Sequence, residues 1–186
     1  MSDTMQQRAI HELVQSNLAC LAQARELVGR LADEQYRASA PGGRGGVGPH
    51  LRHALDHYDC FLAGVAAGTI DYDQRERDLE VENSRERALE RLALAEAGLL
   101  RLRTFDAAHE VTVKLDSGER HSRCASRSTL ARELQFLVSH TVHHFALVAF
   151  VLRIQGVEPG PELGVAPSTL KYEQDQKQPG SAACAR

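Results

Sequence analysis

The chain has 186 residues, 42% of them hydrophobic and 25% charged, which is the make-up of one ordinary globular domain. Its 22 basic and 25 acidic residues leave a formal charge of −3 spread along the chain, so no basic stripe marks a nucleic-acid or acidic-lipid surface. No unbroken run of about 18 apolar residues and no leader-like N-terminus is seen, so neither a membrane nor a nucleic-acid partner is expected, and the reading is cytoplasmic.

Residues 5–32 repeat apolar side chains at three- and four-residue spacing, from Ile10, Leu13 and Val14 to Leu27, Val28 and Leu31. This is the pattern of a core-facing helix. Pro41 to Pro49 then breaks the chain. Gly43 to Gly48 formally matches G-x-G-x-x-G, but a helix precedes it and no strand pattern is near, so the match is chance and the loop only joins helices. Pro49 suits the start of the next helix, about 49–67, where Leu51, Leu55, Tyr58, Leu62 and Val65 mark one side and Arg52, Asp56 and Asp59 the other. His50, His53 and His57 lie on the border between the sides, and periodicity turns His57 and His50 further inward than His53.

Residues 69–85 alternate charge signs and read as a solvated connection; Asp71, Tyr72 and Arg75 could instead close one end of a cleft. A third helix over about 83–105 carries Leu89, Leu92, Leu99 and Leu102, with Asn83 or Ser84 as its N-cap. Between 109 and 125 the period drops to two, with Asp116-Ser-Gly118 as the turn, which predicts a short β-hairpin bearing His109 and His121 outside the bundle. Ser128 or Thr129 then opens the last long helix. Beyond Gly156 the chain is rich in proline and glycine, and Lys171 to Arg186 reads as frayed or disordered. The expectation is an all-α four-helix bundle over residues 1–165 with a hairpin insert before the last helix, and a partly disordered tail over 166–186.

Histidine is the unusual residue. Eight of the nine fall into three groups, His50/His53/His57, His109/His121 and His140/His143/His144, and only His11 stands apart, as a surface residue. His140 and His144 are four apart, so on a helix they lie about 40° apart in azimuth and roughly 6 Å apart along the axis. Phe136, Leu137, Leu147 and Val151 share their face, so the pair points into a core. Buried imidazole nitrogens need partners, and either a divalent metal or a hydrogen-bonded structural pair would supply them. His143 points at least about 60° away from both neighbours. Bundle cores build metal sites from facing helices, and a third histidine from the second helix would complete a reactive, open three-nitrogen set. Thr141 stands where H-E-x-x-H places its glutamate, and Glu133 lies about 10 Å down the helix, so no general base is built in beside the pair. The four cysteines, Cys20, Cys60, Cys124 and Cys184, form no Cys-x-x-Cys and read as free thiols.

Two stretches resemble a known family. Leu51-Arg-His53-Ala-Leu-Asp56-His-Tyr-Asp-Cys-Phe61-Leu is similar to the second-helix motif of the DinB/YfiT-like superfamily, and Glu133 to His144 resembles its last-helix H-x-x-x-H. Gly164 to Tyr172 is similar to the C-terminus of one subgroup. The resemblance, over about residues 5–156, implies a four-helix bundle with a three-histidine site for zinc, nickel or iron. Carried over position by position, the ligands are His53, His140 and His144, with His57 or His50 as the alternatives to His53. Members are described as metal-dependent hydrolases, and relatives include thiol transferases and iron-dependent sulfoxide synthases. That implies a metal-bound water or thiolate as nucleophile, a small-molecule substrate, and a homodimer as one assembly open to the chain. Phe145-Ala146 follows His144 in place of the Arg-Gly-Gln of many members, and the glutamate of the sulfoxide synthases is absent, so no single reaction transfers. A stress-related or interaction module that is no enzyme, with structural metal or hydrogen-bonded histidines, is the alternative.

Overall fold

Four long helices, α1 (Asp3–Arg30), α3 (Val47–Ala67), α5 (Arg85–Arg101) and α6 (Leu130–Ile154), pack as a closed square in a computed structural model. The residues described are 3–39, 45–116, 118 and 123–177. Each of α1 and α3 touches both α5 and α6. This arrangement sets α3 directly against α6, so the two histidine-bearing helices face each other. Short helices α2 (Asp33–Arg37) and α4 (Leu79–Asn83) bridge the long ones, and α7 (Pro167–Lys177) follows the bundle.

The apolar stripes are where periodicity puts them. Ile10, Val14, Leu21 and Val28 of α1, Leu51, Leu55, Tyr58 and Phe61 of α3, Leu92 and Leu99 of α5, and Leu134, Leu137 and Leu152 of α6 are all buried in one core. Asn17 is the polar member sequence reading passed over. Its amide donates to the carbonyl oxygens of Leu13 and Leu134, and its Oδ1 accepts from the Tyr58 hydroxyl, which in turn accepts from Thr141. The network joins α1, α3 and α6 and satisfies every polar atom it buries, which a core demands.

Helix ends follow local chemistry. The Ser84 hydroxyl accepts from Arg87 N–H and the Thr129 hydroxyl from Arg132 N–H, so the two N-caps fall on residues the sequence nominates. The second long helix begins at Val47, two residues earlier than the proline suggests, with Pro49 in its first turn, where the missing N–H costs nothing. At the C-terminus of α6, Gly156 takes φ 74°, and the bonds Gly156 N–H to Arg153 O and Val157 N–H to Leu152 O form a Schellman motif. Gly164, at φ 76°, lies so close to the backbone of Ala146 that a Cβ there would collide with it, which lets the chain after α6 lie back on that helix.

The stretch read as a solvated connection is more structured than that. Thr69–Asp71 forms β1, parallel to β2 (Glu110–Asp116), which pairs antiparallel with β3 (Arg123–Thr129). The expected hairpin is therefore two strands of a three-stranded sheet, in the order β1-β2-β3. Its second strand runs later than the alternation suggested, up to the cap of α6. Ile70, Tyr72 and Val81 are buried, too sparsely spaced for a periodic signal. Asp56, read as solvent-facing, is buried too, because Arg52 pairs with it at 2.6 Å and with Glu82 of α4 at 2.6 Å. His109 precedes β2, and Phe105 packs edge-on to its ring; His121, Cys184, part of the glycine-rich loop and residues 178–186 lie outside the described residues. Lys171 to Lys177, read as frayed, are the second half of α7, an exposed helix with no buried residue. By mean hydropathy over its length α6 could cross a membrane, although no unbroken apolar run is present. In the bundle Leu134, Leu137, Phe145, Val148 and Leu152 instead form core, with α1 and α3 packed on this helix, while Phe150 and Ile154 stay exposed.

Candidate metal centre

The α3–α6 contact gathers five imidazoles. His53 lies 5.1 Å from His140 and 4.5 Å from His144 between ring centroids, and His140 lies 4.5 Å from His144. The three positions singled out by resemblance therefore do face one another. His57 belongs with them: its ring is 3.9 Å from His140 and 4.6 Å from His53. Ligand nitrogens of His53, His57 and His140 lie within 4.8 Å of one another, a spacing that could hold one ion. His50 closes the far end, its Nδ1 3.2 Å from His144 Nδ1. His143 is exposed and meets the group only through the edge of His144, as the helix angle requires.

The hydrogen bonds decide which nitrogens are open. His57 Nδ1 donates to the carbonyl oxygen of His53, one turn earlier on α3, at 2.9 Å. That bond fixes the tautomer and leaves Nε2 with its lone pair, the way ligand histidines are usually oriented. Arg75 Nη1 donates to His53 Nδ1 at 2.9 Å. His140 Nδ1 is buried with no hydrogen-bond partner among the described residues. A buried polar nitrogen without a partner is rare and calls for an explanation. A divalent cation satisfies it, and the donor set, neutral nitrogens without thiolate, suits zinc, nickel or iron.

Electrostatics keeps the rings neutral. Burial first, then His57, His144 and the Arg75 and Arg52 guanidiniums, pushes His53 down to about 3. Burial and the neighbouring rings, His57 foremost, hold His140 at about 3. Burial, then His50 and His143, lowers His144 to about 4. Burial also lowers His50 and His57, and in His57 the bond to His53's carbonyl opposes the shift. All five are therefore lone-pair donors at neutral pH, as metal binding requires.

One wall of the centre comes from residues outside the two motifs. Tyr72 stacks on His57 at 5.4 Å, and Phe136 lies 5.5 Å from His140 and 5.1 Å from Tyr72. Tyr72 donates to Glu133 Oε2 at 2.8 Å, and Ser128 donates to Glu133 Oε1 at 2.5 Å. Glu133 is thus a buried, hydroxyl-bound anchor between sheet and helix and no free base for the histidines. Of the reading that Asp71, Tyr72 and Arg75 close a cleft, Tyr72 and Arg75 do border the site. The long-range parallel pairing of β1 with β2 positions them, and no local spacing encodes that.

Comparison with known proteins places the chain in a family. A segment of 109 residues, 58% of the chain, is 27% identical to part of FK506-binding protein 5 of Rhizopus delemar (strain RA 99-880 / ATCC MYA-4621 / FGSC 9543 / NRRL 43880). The match spans only 28% of that protein's length. The model of the DinB family matches residues 1–175, nearly the whole chain, bundle and histidine-bearing helices included. The chain belongs to the DinB family.

Proposed function

We propose that this protein is a metal-dependent hydrolase or thiol transferase that holds a divalent zinc, nickel or iron ion among the histidines of α3 and α6. The observation that carries this reading is the buried His140 Nδ1, without a partner among the described residues and set amid neutral rings, beside the preset Nε2 of His57. When bound, such an ion supplies Lewis acidity to a water or thiol. The chain's own residues do the rest. His140, His57, His53 and His144 offer nitrogens, the His53 carbonyl aims His57, and Tyr72 and Phe136 cover one side with aromatic rings. Cys20 and Cys60 are free thiols, which accords with a cytoplasmic location.

The second reading is a module that binds metal for structure and turns nothing over. Two observations favour it. Glu133, the carboxylate on the histidine face of α6, is committed to Tyr72 and Ser128. The similar segment in the Rhizopus protein is one part of a longer chain named for FK506 binding, so such a segment also occurs as part of a larger protein.

Metal content of untagged protein, measured by elemental mass spectrometry after growth with zinc, nickel or iron, tests the first requirement. One ion per chain in the wild type and a clear loss in His140→Ala are expected. No stoichiometric metal under any supplement would end both metal readings. A panel of thiol-transfer and hydrolytic substrates then separates enzyme from module, since only the enzyme loses turnover in a folded His140→Ala protein.

A further inference from the structure

Beside the histidines, behind the Tyr72–Phe136 wall, lies a cavity of about 430 Å³ between the sheet and the first turns of α6. Its volume is that of a small-molecule site, where about 300–1,000 Å³ is usual. The walls are of two kinds. Val113 and Leu115 of β2 and Phe136 of α6 form an apolar floor, and Leu115 is 56% exposed with nothing covering it among the described residues. Arg127 and Arg132 border the same space. Against these two cations stands one lining carboxylate, Glu133, whose oxygens are already taken by Tyr72 and Ser128. Arg132 has only a loose contact with Glu133, 3.5 Å, and its guanidinium lies over the Phe136 ring at 5.5 Å. A weakly paired cation poised over an apolar floor matches a ligand with an anionic head and an apolar body.

We infer that this cavity is a binding site for small amphipathic carboxylates, with the head group on Arg132 and the chain against Leu115, Val113 and Phe136. Tyr72 and Phe136 belong to both the cavity and the histidine centre, so a ligand here lies one aromatic layer from the rings. As a substrate site the cavity rests on the metal-dependent reading above; as a carboxylate site it does not.

The test uses the full chain, stripped of metal with chelator, and three probes of equal length: sodium octanoate, octan-1-ol and octylammonium chloride. Titration calorimetry is expected to show octanoate binding at least about tenfold more tightly than either other probe, the margin of one charge-assisted contact. Arg132→Gln should bring octanoate down to the alcohol, and Leu115→Asp, at an exposed position where the fold is not at stake, should weaken it at least about tenfold. Circular dichroism checks both variants for native helix content. No binding of octanoate, equal binding of all three probes, or indifference to both substitutions would overturn the inference. Metal content measured on parallel untreated samples keeps the two ideas apart. Octanoate binding without metal uptake removes the proposed function alone, and metal uptake without octanoate binding removes the cavity alone.

Discussion

Replacing Arg75 with glutamine should tighten metal binding. Arg75 Nη1 donates to His53 Nδ1 at 2.9 Å, and its own Nε is buried without a partner among the described residues. A neutral imidazole that accepts at Nδ1 carries its proton on Nε2. In this arrangement neither nitrogen of His53 is open: one is bonded and the other protonated. Nδ1 has a single lone pair, so an ion bound there would take the place Arg75 Nη1 now holds, and the arginine would have to swing away toward water. Even about 5 Å off in a dielectric near 80, a divalent ion and a single cation repel by about 1.7 kcal/mol. That residual alone corresponds to more than about tenfold in affinity. Competition with a chromophoric zinc chelator should therefore show Arg75→Gln binding at least about tenfold more tightly than wild type. Arg75→Lys should recover part of the wild-type penalty, because it keeps the charge. Equal or weaker binding by Arg75→Gln would refute the argument and make Arg75 a support of the site.

Two further outcomes follow from the core and the rings. Tyr58→Phe removes a hydroxyl that donates to Asn17 at 3.0 Å and accepts from Thr141 at 3.2 Å, leaving two buried groups short of a partner. It should cost about 1–3 kcal/mol in urea unfolding, and a loss under about 0.5 would show that the network is not needed. The metal-free protein should lose stability in mild acid. His53 and His140 titrate at about 3 and His144 at about 4 when folded, against about 6.5 unfolded. Between those values the unfolded chain binds more protons, so the contribution is complete above about pH 6.5 and drains away as pH falls toward 3. One fully shifted ring gives about 2 kcal/mol between pH 6.5 and 5, and three half-exposed rings, discounted for screening, together give at least that. Thermal melts in chelator at pH 7.5 and 5.0 measure it, and an unchanged midpoint would count against the neutral-ring account.

The bundle was legible because its signal is local and repeated. Every long helix shows a stripe of apolar residues at helical spacing, and Ser84 and Thr129 are caps by type and place. The sheet was only half legible. The hairpin strands alternate over several residues, whereas β1 is three residues long and its partner lies some forty positions away, so its identity depends on a contact and not on a pattern. Asp56 misled for a related reason: a carboxylate reads as solvent-facing until its arginine is found, and Arg52 also has to reach Glu82 on another element. At the metal centre, spacing identified His140 with His144, and periodicity favoured His57 over His53. Neither could have shown Arg75 on His53 or Tyr72 on His57, because β1 brings that segment across to α3.

These contacts change what the histidine motifs specify. At 100° per residue, His50, His53 and His57 fall within an arc of about 60° on α3, and His140 and His144 within about 40° on α6. Two such strips facing each other define a row of nitrogens from which more than one triad can be drawn. Spacing and resemblance select the row. What selects within it is the set of partners each nitrogen already has. His53 is held by Arg75, and His144 shares a bond with His50. His57 keeps Nε2 open through its bond to a backbone carbonyl, and His140 Nδ1 has no partner among the described residues. In the His50–His144 pair, whichever ring donates its Nδ1 proton keeps the lone pair of its Nε2. An ion entering this centre therefore finds His57 and His140 prepared, and takes its third nitrogen either from His53, by displacing Arg75, or from the Nε2 of His144 in the tautomer that donates to His50.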